Sequence, residues 1–431
     1  MEPKTTKRPS RKLVVFKREL PFYLMLIPGV TFLIIFSYLP MFGLVMAFQD
    51  FTPLRSFKNS PWVGLKNFHD MLALPTFWNV VGNTLSISIA KIILRLLVPL
   101  ILALLLNEVV HHKFMRMAQT VFFLPYFLSW AVMGGVLRNL FQYDGMVNEL
   151  LGRIGIDPIV CILPILHVIA LSLSERIEAV AGNVTFYPIG FTLEAYRYVM
   201  EDSQFWTSLR VTLTRVLIGV PANILLVVMT AYPLSKANSR FHARTFFSWL
   251  FVITMLFGGG TIPTYIVISK LGLMNTIWAL TLPGAMNVSY MILIMNFFRG
   301  IPTEIEDAAV IDGANQLQIL FRVYLPMSMP SLATIILFAT VANWNCWMDG
   351  YMYMNTPDKY PLQTYLATIL MESKNNVETL MTPEQLIRMA KVSEKTIEAA
   401  QIFLAALPIM CVYPFLQKYY TKGIVVGSVK G

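Results

Sequence analysis

From Ile301 to Pro330 the chain reads IPTEIEDAAVIDGANQLQILFRVYLPMSMP, and no other segment carries residue types so well suited to gripping another protein. Thr303 followed three residues later by Glu306 is the spacing of a capping box, which would start a short helix. Ile305, Ala308, Ala309 and Asp312 then fall on one face of mostly small residues, and Gly313 offers a stop. A compact helix with such a face is a knob for a cleft on a soluble partner. Chemistry of other kinds is poorly represented. The run FGGGT at Phe257–Thr261 has three glycines but no Gly-Lys-Ser/Thr, so it is no phosphate cradle, and helix packing or a break in a helix is its better use. His69, His111, His112, His167 and His242 show no ligand spacing with cysteines or acids, so no metal is expected. No Ser/His/Asp set or carboxylate pair suggests a catalytic residue.

The elements that must position this knob are membrane-spanning helices. Of 431 residues, 56% are apolar and 13% charged, against roughly 25% charged in soluble proteins. Mean hydropathy is +0.60. Three scattered cysteines exclude a disulfide-stapled fold. The net charge of +10 is gathered in short segments between apolar runs, above all in residues 1–19, which reads as a cytoplasmic anchor and not as a nucleic-acid surface. Stretches long enough to cross a bilayer run from Pro21 to Phe48, Thr84 to Asn107, Met117 to Leu137, Val216 to Ser235, Thr245 to Ser269, Leu271 to Phe298, Met327 to Met348 and Ala399 to Leu416. Lys91 and Arg95 lie inside the second, one turn apart, where they either snorkel, face the bundle or mark a site. The run Pro158–Ser174, short and broken by Pro164 and His167, is expected outside the bilayer core or only re-entering it. Basic loops at Lys236/Arg240/Arg244 and Lys418/Lys422/Lys430, set against acid-rich segments Glu175–Asp202 and Asp349–Glu398, orient eight spans with both termini cytoplasmic. The expected fold is therefore all-α and polytopic, and the Ile301–Pro330 segment falls on the cytoplasmic side.

Sliding the chain by 128 positions lays Phe77-Trp78 on Phe205-Trp206, Thr84-Leu85 on Thr212-Leu213, Ala103 on Ala231, Arg116 on Arg244 and Phe123 on Phe251. Eleven of seventy positions from Phe77 to Met146 are identical, which alone decides little in so apolar a chain. The shared order of aromatic pair, span, basic loop and span carries more weight. Membrane transporters are commonly built from two such units. Only the second unit continues into further spans and the polar loop.

Asp307-Ala308-Ala309, Gly313 and then Val323-Tyr324-Leu325-Pro326 resemble the EAA loop of type I ABC importer permeases, with Asp307 for Glu and Val323 for Ile as departures. From about Ile162 to the end, the chain is similar to a carbohydrate permease subunit, including AYPLSKANSRFHART (Ala231–Thr245), FGGGTIPTY (Phe257–Tyr265), Trp344-Asn345, YPLQ (Tyr360–Gln363) and YPFLQKYYTKG (Tyr413–Gly423). From about Lys12 to Ile159 it resembles the beginning of the partner permease, leaving that pattern before an EAA loop is reached. The layout implied is a basic N-terminus (1–19), a truncated first module (20–157), a junction and external segment (158–204), a second permease module (205–420) and a cytoplasmic tail (421–431). The resemblance implies a cell-membrane permease that is no enzyme and binds no cofactor, with ATP held by a cytoplasmic ABC ATPase dimer that drives alternating access. The other implied partners are a second permease subunit, an extracellular solute-binding lipoprotein and membrane lipids. It makes Glu306, Asp307, Ala308, Ala309, Asp312, Gly313, Ala314, Leu325 and Pro326 the ATPase contact. Trp344, Asn345 and Trp347 are candidates for lining the sugar path by stacking and hydrogen bonding, although an interfacial aromatic belt explains them equally well. The rivals are a fusion that inserts without transporting, a secondary transporter, which would need acidic groups inside spans, and a membrane-anchored structural protein.

Overall fold

A computed structural model describes residues 11–52, 59–107, 164–185, 187–372, 392–393 and 395–408. The described residues form helices joined by short turns, with no strand beyond an isolated bridge between Gln49 and Trp62. The expected all-α fold is thus observed. The expected span Met117–Leu137, most of the basic N-terminus and the C-terminal tail lie outside the described residues.

Among the described residues three helices are long and apolar enough to cross a bilayer: Val15–Phe48, Pro75–Leu105 and Ser203–Ser235. Two bent pairs add up to two more candidates. Arg244–Leu256 and Thr261–Lys270 meet at 115°, and Gln316–Met327 and Met329–Asn345 at 86°. The described residues therefore hold fewer straight crossings than the expected eight would give. The stretch Leu271–Phe298 is no single helix but the short turn Ile277–Thr281 followed by Val288–Arg299, with Pro283 and Gly284 between them. A proline cannot donate to the helical ladder and glycine weakens it, so the break follows from local chemistry. Within Pro158–Ser174, helix Pro164–Ser172 has 9 residues, too few to cross.

At the sharpest bend Gly260 turns the chain at φ +87°, and Gly259 permits a close approach. A Cβ there would sit 2.3 Å from the carbonyl carbon of Pro40, so the FGGGT segment both breaks its span and lets the N-terminal helix pass at backbone contact. That helix also packs Phe22, Met25, Leu26 and Leu33 into one core with Val227, Ala231, Tyr232 and Phe251. Buried Glu19 meets His242, and the Arg18 guanidinium donates to the Ser239 carbonyl. The N-terminal helix is thus part of the same bundle as the later helices.

The internal repeat is visible as geometry. Helix Lys66–Leu72 precedes Pro75–Asn107 just as Glu194–Glu201 precedes Ser203–Ser235, and both pairs of starting residues differ by 128 (194 − 66 and 203 − 75). The Phe77/Trp78 and Phe205/Trp206 rings meet edge-on at 79° and 84°. Burial separates the two copies. Ser203–Ser235 runs through the bundle, whereas the apolar window of Pro75–Leu105 has no buried residue and Lys91 and Arg95 are both exposed.

Candidate functional site

The segment after Gly300 folds into helix Thr303–Ile311, with Pro302 at its N-cap and no side-chain cap. The expected capping box between Thr303 and Glu306 is absent because the Glu306 side chain turns inward. A capping box does occur one element later, where Asn315 and Gln318 exchange bonds at the start of Gln316–Ile319. Between the two helices Gly313 stands at φ +82°, Gly313 N–H donates to the Val310 carbonyl and Ala314 N–H to that of Ala309, both at 3.0 Å. This is a Schellman stop. Leu320–Tyr324 then forms a π-turn whose closing donor is Leu325 N–H. Pro326 follows, where the missing N–H suits the interrupted ladder.

A buried ionic lock holds this segment to the end of the long helix. Glu306 Oε1 lies 3.0 Å from Lys236 Nζ, both side chains being 3% exposed. Arg240 reaches Glu306 Oε2 at 3.1 Å and Asp307 Oδ1 at 2.7 Å, and the Tyr324 hydroxyl donates to Glu306 Oε2 at 2.8 Å. The Lys236 ammonium is also clasped between two ring faces, 3.8 Å from the centroid of Tyr232 and 4.0 Å from that of Tyr324. Tyr232 donates onward to Gln316 at 2.7 Å. Burial pushes the Lys236 ammonium down to about 8 against the opposing pull of Glu306.

The remaining residues of the segment divide by exposure. Ala309, Ala314 and Leu325 are half-buried against the core, while Asp307, Ala308, Asp312, Gly313 and Pro326 face outward. Ile311 is 85% exposed, and Ile305 and Val310 are exposed beside it. The outward surface is therefore apolar at its centre with carboxylates around it, the composition of a contact surface. Sequence reasoning placed Ile305 on this surface and missed Ile311, which stands beside Asp312 at the tip.

A cavity of about 410 Å³ opens at the Phe257–Gly260 break of the first bent pair, lined by Phe36, Gly259, Thr261, Asp349 and Tyr353 among others. Trp344, Asn345 and Trp347 do not line it. Trp344 is 4% exposed and donates its indole N–H to the Ala405 carbonyl at 3.1 Å, so its ring packs helices together. Asn345 and Trp347 are half-buried, and Trp347 tilts onto Tyr351 at 6.4 Å. Sequence reasoning missed the charge pair beside the cavity. Arg215, 5% exposed in the long helix, reaches Asp349 Oδ2 at 2.6 Å, and its other nitrogens approach Asn343 and the Cys346 carbonyl at 3.5 Å. Removing Asp349 strands a buried guanidinium. Asp349→Leu is thus expected to lower unfolding stability by on the order of 3 kcal/mol, with Arg215→Met/Asp349→Leu recovering most of it. Thermal unfolding in nanodiscs reads this, and equal loss in single and double variants would contradict it.

Residues 188–426 match the family described as "Binding-protein-dependent transport system inner membrane component". The chain is 39% identical over 273 residues to the polygalacturonan/rhamnogalacturonan transport system permease protein YtcP of Bacillus subtilis (strain 168), covering 63% of this chain and 94% of that one. It is also 39% identical over 140 residues to Protein LplB of the same organism, covering 32% of this chain and 44% of LplB. Among solved structures, a chain of a bacterial ABC transporter involved in the import of the acidic polysaccharide alginate is similar with a TM-score of 0.56 and 32% identity, over 63% of this chain and 94% of that one.

Proposed function

From the premise that the chain belongs to the family of binding-protein-dependent transport system inner membrane components, we propose that it is a permease subunit of an ATP-driven importer for a carbohydrate or oligosaccharide. It is a multi-pass membrane protein, and relatives with permease names are transport components rather than enzymes. In this reading helix Thr303–Ile311, with Asp307, Ala308, Asp312, Gly313 and Ile311 outward, sits in a cleft of a cytoplasmic ABC ATPase. ATP is bound there and not by this chain. Closure of an ATPase dimer then pushes on the helix, and the Glu306 lock passes the displacement to Ser203–Ser235, giving alternating access. A second permease subunit covers the bare helix Pro75–Asn107, an extracellular solute-binding lipoprotein delivers the sugar, and both termini are cytoplasmic.

The observation that carries this reading is the ionic lock, because it makes an outward-facing apolar tip rigid with respect to a helix that runs through the bundle. One relative is matched along nearly its whole length and another over less than half of its own, which supports a head-to-tail hybrid of a truncated first permease with a nearly complete second. Purifying the full chain from membranes of its source and identifying what co-elutes tests the proposal. An ATPase and a second permease are expected. Their absence under conditions that keep the chain folded would overturn it.

A further inference from the structure

A second cavity, of about 400 Å³, lies toward the face that the charge distribution assigns to the outside. Its charged lining residues are Arg210 and Lys359, and no carboxylate lines it. The Arg210 guanidinium has no ion-pair partner among the described residues, and Lys359 Nζ donates to the Asn275 carbonyl at 3.0 Å. Asp358, next in the chain to Lys359, is exposed but outside the lining. Thr214, Asn275 and Thr276 add hydroxyl and amide groups, and Ile277 and Leu280 an apolar wall.

Asn275 itself stands at φ +60°, in the left-handed region that asparagine adopts more readily than other residues with a side chain. It is held there by its N–H to the Tyr353 carbonyl at 2.8 Å and by its Oδ1, which accepts from Asn355 N–H at 3.2 Å. This turn presents the Asn275 carbonyl that holds Lys359 in the same lining as Arg210. Two cations uncompensated by an acid in the lining, with hydrogen-bonding groups and an apolar wall, make a site for a ring that carries both hydroxyls and a carboxylate. The volume is that of a small-molecule site.

We propose that this cavity is an outer subsite for uronate residues of an acidic oligosaccharide, with Arg210 and Lys359 taking the sugar carboxylate. Arginine suits this task because its planar fork matches a carboxylate. The inference rests on the permease reading above and narrows its substrate to acidic saccharides. The cavity at the Phe257–Gly260 break has no Lys, Arg or His in its lining, and the Asp349 carboxylate that lines it is already paired with Arg215. Selection for the acidic group is therefore assigned to the outer cavity alone.

The test is calorimetric titration of the full chain in nanodiscs with trigalacturonate and with maltotriose, a neutral trisaccharide of similar size. Trigalacturonate is expected to bind about tenfold more tightly at low salt, Arg210→Gln and Lys359→Gln each to reduce that preference by about threefold, and the double variant to abolish it. Both side chains are exposed, so these variants keep the fold, which unchanged thermal unfolding verifies. Equal binding of the two sugars, no binding of trigalacturonate, or a preference that survives the double variant would each overturn the inference. ATPase co-purification is scored in the same preparations. Its retention alongside any of those results removes this inference and leaves the permease reading standing, whereas its loss removes the permease reading.

Discussion

Glu306→Ala is expected to reduce ATPase retention by about a hundredfold or more while leaving the chain inserted in the membrane. Breaking a buried pair by removing one partner costs about 3–5 kcal/mol, and each 1.4 kcal/mol is about tenfold in an equilibrium. Here the loss falls on the folded loop, because the variant leaves Lys236 buried and takes an acceptor from Tyr324. Lys236→Met is the milder change, since Glu306 keeps Arg240 and Tyr324. For Lys236 burial outweighs the pull of Glu306: its pKa is lowered to about 8 from 10.5, so the folded loop holds this proton less firmly than the unfolded chain. The cost of its charge is fully present below about pH 8 and fades as pH rises toward 10.5, so the loop gains stability with rising pH across that window as this penalty is removed. Gly313 offers a contrast. Nothing lies within 4 Å of a Cβ built there, so a side chain meets open space, and the penalty comes from φ +82°. Gly313→Asn should retain docking, because asparagine tolerates the left-handed region, while Gly313→Glu should lose it. Pull-down of the ATPase by full-length variants in nanodiscs reads all four. Unchanged retention by Glu306→Ala would contradict the lock.

What the sequence made legible was local. Gly313 marks the end of Thr303–Ile311, FGGGT marks a break, and the 128-residue offset returns as matched helix starts, each because a short stretch of backbone chemistry decides the outcome. The losses were long-range. Thr303 and Glu306 have the spacing of a cap, yet Glu306 lies 70 positions from Lys236 (306 − 236), and the burial of that pair outweighs a local bond to the backbone. An isolated charge argues against a crossing, so the sequence pattern begins the span at Val216 and excludes Arg215. Its partner Asp349, 134 positions away, makes the longer helix Ser203–Ser235 tenable. Trp344 stood open between a sugar path and an interfacial aromatic belt, because both put a tryptophan in the same apolar pattern; the structure buries it and bonds its indole N–H to the Ala405 carbonyl.

In a strain lacking all related permeases but supplied with the ATPase and the binding protein, expression of this chain should give no sugar uptake above background. A two-fold importer presents one docking helix to each of two ATPases, and in this chain the EAA, Gly and Leu-Pro spacing occurs at Asp307–Pro326 and not between Gln142 and Phe205. The two copies of the repeat also differ in what surrounds them. Ser203–Ser235 is enclosed by the N-terminal helix and by Val288–Arg299 and Met329–Asn345, whereas Pro75–Leu105 presents its whole apolar surface unburied. A surface of that kind, carrying Trp78, Leu85, Ile92 and Leu96, is suited to lipid or to another subunit. The proposed hybrid therefore grips one ATPase and encloses the path from one side, and a complete partner permease must supply the other grip and the other wall. Adding such a partner in the same strain should restore uptake if the chain is competent, and should leave it at background if the chain is a fusion that inserts without transporting. Robust ATP-dependent uptake with this chain as sole permease would sink the argument, because two ATPases would then be driven through one docking helix.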